Sequence, residues 1–459
     1  MNEIKKLTKS TIIYFLGTVG TKAVSFLLLP IYTSFIAPDA YGTYDLNITY
    51  ATLFSSFFFL DIWCGIMKFI FERKTENEKR QVMYNGIIIF VTSALIYTFS
   101  MWLFGISNNV RYLPWVILYG LSLCVQNLYG YLARTFGFNV RFAVSGIVAT
   151  TCTALLNIIL LVVVGMDYRA LYISFIIGVL VQCIILEFKL KIIVSYKCVY
   201  FNIQDLKELL YFSLPLCVNS LCYWLLTGYN RVFITRTLDT QANGYYAIAS
   251  KFGGILIIVS SCFTMAWQEL AYGKGERSIE NGRFYSKATD IYMVFLLCGF
   301  TILIPVIYFA FPYLIASEYS DAKVLIPINM LATLASILYT FLGNIISTYK
   351  RNNIMFLSTL AACIVNFLCV HLLVGKYGVE AANIALLLGY CVSNIMRIWT
   401  IKKIVPYHLK WWWYLCLLPL VMGTTWAYWQ DKDLLNVICI LVGIICGWMF
   451  IGKELKKKI

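Results

Sequence analysis

Stretches of roughly 20 mostly apolar residues, the length a helix needs to cross bilayer hydrocarbon, follow one another from Thr11 to Met449 with only short polar breaks. Backbone in lipid finds no water to bond, so such segments are helices that satisfy their own N–H and C=O groups. The runs predict fourteen spans, at 11–37, 42–71, 83–105, 113–133, 142–165, 170–188, 209–236, 244–270, 287–314, 324–349, 354–375, 380–401, 411–429 and 434–451. The chain is 61% hydrophobic and 13% charged, against roughly half and a quarter in a soluble domain. No break holds a domain outside the membrane. The expected fold class is all-α integral membrane.

The formal net charge is +15. A nucleic-acid footprint gathers on one polar face, whereas these positives sit in the breaks between spans. Assigning successive breaks to alternate sides puts 27 lysines and arginines on one side and 6 on the other. Positive residues favour the cytoplasm, so both termini are expected there. Lys5, Lys6 and Lys9 precede an apolar run too long for a signal-peptide core, and the first span is expected to be retained. Fifteen cysteines include no CxxC pair. Cys152, Cys183, Cys298, Cys363, Cys391, Cys439 and Cys446 lie within apolar runs and read as small packing residues.

The longest polar break, 188–208, carries four lysines and an amphipathic stretch from Asp205 to Leu210. It divides the chain into an N-lobe of helices 1–6 (1–187), a cytoplasmic linker (188–208), a C-lobe of helices 7–12 (209–401) and a C-terminal helix pair (402–459). An internal repeat supports the division. Ala40-Tyr41-Gly42-Thr43-Tyr44 matches Ala242-Asn243-Gly244-Tyr245-Tyr246, and Thr33 and Leu46 match Thr235 and Ile248 at the same 202-residue offset. Two six-helix lobes of like orientation form a parallel repeat, as in many secondary transporters.

The residues from Lys9 to Tyr44, with Leu27-Leu28-Leu29-Pro30 ahead of the Ala40–Tyr44 motif, resemble the opening of the polysaccharide-transporter family of the multidrug/oligosaccharidyl-lipid/polysaccharide exporter superfamily. O-antigen and capsule repeat-unit flippases of the Wzx type are the likeness. Further matches are Asn230-Arg231 before Gly244-Tyr245-Tyr246, Ala266-Trp267-Gln268, Glu318-Tyr319 before Ile326-Pro327, and Lys376-Tyr377-Gly378 before Glu380-Ala381-Ala382. The resemblance spans residues 7–405. Asn230 stands where the family often has an acid and Glu269 where it has a proline, so neither an acid role nor a kink carries over at those positions. The resemblance implies a flippase that moves undecaprenyl-diphosphate-linked oligosaccharide repeats to the outer leaflet of a bacterial cytoplasmic membrane by alternating access. It implies no cofactor beyond an H+ or Na+ gradient or the membrane potential, membrane lipid as surroundings, and polysaccharide polymerase or assembly proteins as partners.

Ionisable residues deep in a span tend to face a cavity or a partner. At about 1.5 Å per residue, Lys22 lies about 16 Å into the first span, near mid-membrane, and Lys251 about 10 Å into the eighth; Arg231 lies in the seventh. Their functional reading is a cationic cavity for a diphosphate; the alternative for Arg231 and Lys251 is snorkelling to the interface. Asp45 and Asp61 in the second span are candidates for ion coupling, gating or simple pairing. Tyr44 and Tyr246 are candidates for stacking on sugar rings, against the alternative of an interfacial aromatic belt that also accounts for Trp411-Trp412-Trp413. Pro215, Pro305 and Pro327 mark candidate bends. His371 and His408 are too few and too far apart for a metal site, and no catalytic pairing is evident.

Two other functions compete. One is a multidrug or cation exporter of the same superfamily, since fold does not fix substrate; the other is a membrane enzyme that modifies or polymerises polysaccharide. Charge bias makes its own prediction: a cysteine replacing Ser278 is labelled by an impermeant thiol reagent only after cells are opened, and labelling from outside intact cells refutes the assigned topology.

Overall fold

A computed structural model describes residues 20, 24, 26–192, 201–272 and 276–456. Every regular element among them is helical: α1 (Leu29–Phe35), α2 (Pro38–Phe58), α3 (Ile62–Glu72), α4 (Glu76–Ser107), α5 (Leu113–Thr135), α6 (Asn139–Ile158), α7 (Arg169–Leu190), α8 (Ile203–Thr227), α9 (Tyr229–Thr237), α10 (Thr240–Tyr272), α11 (Ile279–Leu314), α12 (Ala322–Thr348), α13 (Asn352–Tyr377), α14 (Glu380–Ile404), α15 (Trp411–Trp429) and α16 (Asp433–Lys456).

Among the described residues ten helices are long and apolar enough to cross a membrane, or eleven if the bent pair α2–α3 is one span. The chain is a multi-pass membrane protein. Three of the fourteen predicted spans fall outside that group. Residues 11–19, 21–23 and 25 of the first predicted span lie outside the described residues, and α1 is its described end. α15, with five tryptophans, is not among them, and α16 enters as the shorter apolar helix Asp433–Met449, since its side chains past that point lie outside the described residues.

Several helices begin well before their apolar runs because polar caps start them. Thr75 accepts a bond from the Glu78 N–H while the Glu78 side chain bonds back, a capping box that opens α4. Asn202 and Ser278 cap α8 and α11 in the same manner, bonding Gln204 N–H and Asn281 N–H. The amphipathic stretch at 205–210 is thus the first part of α8. Asp205 there receives a bond of 2.9 Å from Arg73. Outside the spans, Asp167 in the turn before α7 takes bonds from the Tyr112 O–H and from the Arg169 Nε and N–H. Partial burial works against its charge, but these bonds prevail and hold the carboxyl below the usual range.

The expected bends at Pro215, Pro305 and Pro327 are not where helices break: each proline lies inside an unbroken helix. The breaks fall instead at 59–61, where α2 and α3 meet at 40°, and at Gly228. Leu60 and Asp61 both adopt left-handed backbone, with φ of 54° and 50°, which is uncommon for residues with a Cβ.

The chain forms two compact units, Met1–Thr235 and Arg236–Ile459. Compactness therefore groups the seventh span (α8 and α9) with the first unit, whereas the sequence division falls at 208/209. Within each unit some helices approach closely enough to exclude a side chain. A Cβ on Gly178 of α7 would lie 2.9 Å from the Ala149 carbonyl oxygen of α6, and one on Gly389 of α14 would lie 2.8 Å from the Ala362 carbonyl oxygen of α13. Small residues at such crossings let backbones pack by dispersion, the main attraction left between helices in lipid.

In the second unit, the turn between α14 and α15 carries lysines over tryptophan rings. Lys403 Nζ lies 3.2 Å from the Trp399 ring centre, Lys410 Nζ 4.1 Å from Trp413, and Lys402 Nζ 5.6 Å from Trp411. These cation–π contacts turn the expected aromatic belt into a mixed lysine–tryptophan band.

Because backbone cannot yield as a side chain can, Gly389→Ala should lower stability by about 1–3 kcal/mol. A reduced melting temperature in detergent checks this. Gly254→Ala, where a new Cβ would meet nothing within 4 Å, is the control and should be neutral or slightly stabilising.

Candidate functional site

In α8, Leu209, Ser213, Cys217, Ser220 and Trp224 recur every three or four residues and so share one face. That face lies along α2 and α3. Gly65 of α3 opens room for α8, since a Cβ there would lie 2.9 Å from Ser213 Oγ and 3.4 Å from Leu209. At the break, Cys217 Sγ lies 3.5 Å from both the Ser56 and Phe57 carbonyl oxygens, and the Ser220 hydroxyl donates to Asp61 Oδ2. Further along, Trp224 Nε1 donates to the Thr49 carbonyl at 3.0 Å. Gly228 makes that reach feasible, because a Cβ at 228 would stand 2.7 Å from the Trp224 ring nitrogen.

The seam ends on an ion pair. Arg231 Nε on α9 donates to Asp45 Oδ2 on α2 at 2.6 Å, and Arg231 Nη1 donates to the Thr227 carbonyl at 2.8 Å, covering a backbone group beside the second break. The two side chains are 21% and 18% exposed, enough shielding for the pair to matter and enough access for exchange. Tyrosines pack beside it: Tyr44 lies 5.9 Å from Tyr41 and 4.9 Å from Tyr172 between ring centres, and Tyr172 lies 6.0 Å from Tyr119.

The structure thus places the predicted residues unevenly. Arg231 and Asp45 come together, and Asp61 meets Ser220. Lys68, seven residues after Asp61, lies 3.9 Å from Glu72 and over the rings of Phe69 and Phe212. Lys22 lies outside the described residues. Lys251 is exposed on α10 of the second unit. Tyr44 is half-buried within the tyrosine cluster; Tyr246 is 1% exposed and turns no ring face outward.

Sequence reasoning missed other groups. Arg397, within the predicted span 380–401, is 1% exposed inside the second unit. Its Nε donates to Ser358 Oγ at 3.0 Å, its Nη1 to the Tyr339 carbonyl at 2.5 Å, and its guanidinium carbon lies 3.5 Å from the Tyr339 ring centre. Also in this unit, Asn329 bonds Ser250 Oγ at 3.2 Å and Asn383 Oδ1 at 2.9 Å, and Asn383 in turn bonds Glu380 Oε2 at 3.1 Å. Glu380 opens on a cavity of about 450 Å³ that Asp239, Gln241, Tyr245, Asp321 and Tyr377 also line. Among the described residues no three His, Cys, Asp or Glu side chains could hold a metal ion.

The chain belongs to the polysaccharide biosynthesis protein family, whose sequence pattern matches residues 7–268. No curated relative matches the sequence at a significant level. Among solved structures it is similar to the lipid II flippase MurJ in an inward closed conformation, with 15% identity, a TM-score of 0.73, and 98% of this chain covering 99% of that one. It is also similar to an inward-facing multidrug resistance MATE transporter of the MOP superfamily, at 14% identity and TM-score 0.65 over 84% of this chain and 96% of that one. A MOP superfamily transporter from Pyrococcus furiosus gives 14% identity and TM-score 0.55 over 86% and 95%. At these identities the likeness is one of fold.

Removing one partner of the ion pair strands the other in a poorly solvated seam. Arg231→Ala should therefore destabilise the protein by about 1–3 kcal/mol, discounted from the cost of a fully buried pair because both groups retain some access. Asp45→Asn added to it should recover most of the loss. Melting temperatures of the single and double variants in detergent measure the coupling, and additive losses would show that the contact is not energetically real.

Proposed function

We propose that this protein is a flippase that carries an undecaprenyl-diphosphate-linked oligosaccharide from the cytoplasmic to the outer leaflet of a bacterial cytoplasmic membrane. The observation that carries the reading is the family assignment over residues 7–268, joined to a likeness with a flippase fold that takes in 98% of the chain. The multidrug exporter reading rests on the MATE likeness, which leaves more of the chain unaccounted for, at 84%.

Under this reading the chain crosses the membrane fourteen times with both ends in the cytoplasm, and it is a transporter with no catalytic residues. Lys22 and Arg231 in the first unit and Lys251 in the second are the cations offered to diphosphate. Arg231 does so by exchanging Asp45 for a phosphate oxygen, since a guanidinium bonds carboxylate and phosphate with the same geometry. Transport draws on an ion gradient or the membrane potential, and the polymer is an O-antigen, a capsule or an exopolysaccharide.

Deleting the gene should abolish the surface polymer and leave the lipid-linked oligosaccharide accessible only to cytoplasmic-side probes in inverted vesicles. Complementation with Lys251→Arg should restore most of the polymer, and Lys251→Gln should not, because the amide keeps hydrogen bonding but loses charge. Intact polymer with new drug sensitivity in the deletion would favour the exporter.

A further inference from the structure

The turn that joins α14 to α15 is fastened to α11. Tyr407, 1% exposed, donates its O–H to Thr289 Oγ1 at 2.7 Å, the His408 N–H donates to Ser286 Oγ at 2.9 Å, and the Lys410 N–H donates to Asp290 Oδ1 at 3.2 Å. Asp290 also accepts from the Tyr414 O–H, which ties the first turn of α15 to the same carboxylate. Gly282 lets the chain come this close, since a Cβ there would collide with the Pro406 carbonyl oxygen.

These anchors leave the basic side chains outside. Lys402 and Lys403 are exposed, and so are Arg283 and Lys287, each one residue beyond a contact residue on α11. Among the described residues Lys402, Lys403 and Arg283 enter no ion pair. Residues 399–414 include no acid, and residues 279–290 include Glu280 and Asp290 alone, the second of them spent on the anchors. What holds the two ammonium groups is aromatic, Lys402 against Trp411 and Lys403 against Trp399. An indole face fixes an ammonium without cancelling its charge or using its three N–H donors. Positive charge is thus mounted on fixed backbone, and part of the ordering cost of binding an anion is met in advance.

The surroundings decide which anion. Trp399, Trp411 and Trp412 are exposed, and tryptophan gathers at headgroup level. Further along α15, Leu415 and Leu418 are exposed on the same face as Trp411. A molecule seated here meets positive charge at one end and an apolar helix face along the rest of its length. A soluble anion engages only the first, and a lipid without net charge gains nothing from the unpaired lysines. An anionic phospholipid engages both, and basic groups at a membrane surface attract such lipids.

We propose that the α14–α15 turn of the second unit is a binding site for an anionic phospholipid, with Lys402 and Lys403 on its phosphate and Trp411, Leu415 and Leu418 along an acyl chain. Arg283 strengthens the attraction from α11. The inference does not depend on the identity of the transported molecule.

Native mass spectrometry of the purified full-length protein in detergent, titrated with dioleoyl phosphatidylglycerol or dioleoyl phosphatidylcholine, tests this through the tightest-bound lipid. The anionic lipid should bind several-fold more tightly than the zwitterionic one. A basic residue near an anionic surface is worth about a factor of five in binding, so Lys402→Gln with Lys403→Gln should weaken phosphatidylglycerol binding by about tenfold or more and leave phosphatidylcholine binding unchanged. Lys402→Arg with Lys403→Arg keeps the charge and should keep the preference. Lys350→Gln with Arg351→Gln, which removes exposed charge from another turn of the same unit, should keep it too. Equal binding of the two lipids by the unaltered protein would overturn the proposal, as would phosphatidylglycerol binding that survives Lys402→Gln with Lys403→Gln intact. Displacement of the lipid by millimolar inorganic phosphate would overturn it in favour of a site for soluble anions.

Discussion

Hydrocarbon offers a peptide group nothing to bond with, and an unpaired backbone N–H or C=O there costs several kcal/mol. Straight helices meet that demand alone. The second span does not stay straight, and its break at 59–61 is tolerable only because local turns and a neighbour cover the freed groups. Ile62 N–H returns to the Phe59 carbonyl and Cys64 N–H to the Asp61 carbonyl, both at 2.9 Å, while Cys217 faces the Ser56 and Phe57 carbonyls from α8. The bend and the placement of α8 are thus one structural choice. This accounts for the seventh span lying by compactness with the first unit.

Three charged or chargeable side chains illustrate three ways of living away from water. Arg231 uses an opposite charge, at 2.6 Å from Asp45. Arg397, 1% exposed, uses a hydroxyl, a carbonyl and the negative face of the Tyr339 ring, so its charge is spread over dipoles. Asp61 has one hydroxyl. The first two solutions hold their charge in place.

The helical class and the succession of long apolar runs were legible because they depend on local composition and periodicity. The breaks were not. Prolines drew attention at 215, 305 and 327, yet those helices continue, since neighbours in a bundle can absorb one missing N–H. The true break at 59–61 contains neither proline nor glycine, and only an aspartate in a run of phenylalanines marked it. Pairing was equally hidden: Asp45 and Arg231 are 186 residues apart, and no periodicity within either helix encodes that meeting. The stripe of Ser213, Cys217, Ser220 and Trp224 was readable as one helix face, but it resembles ordinary small-residue packing until the partner helix is seen. Arg397 was not legible as a buried group because charge near a span end ordinarily means the interface.

The lysine–tryptophan band at the α14–α15 turn also sets a height. Trp399, Trp411 and Trp413 seek the headgroup level and Lys402, Lys403 and Lys410 are bound to their faces, so ring and charge cannot adjust independently to a new interface. A freely snorkelling lysine accommodates a thicker bilayer by extending or retracting; one held against an indole does not. The second unit should therefore meet a change in hydrocarbon thickness by tilting or by deforming the lipid around it, and its mechanics would be sensitive to acyl-chain length in a way that ties the protein to the membrane in which it evolved.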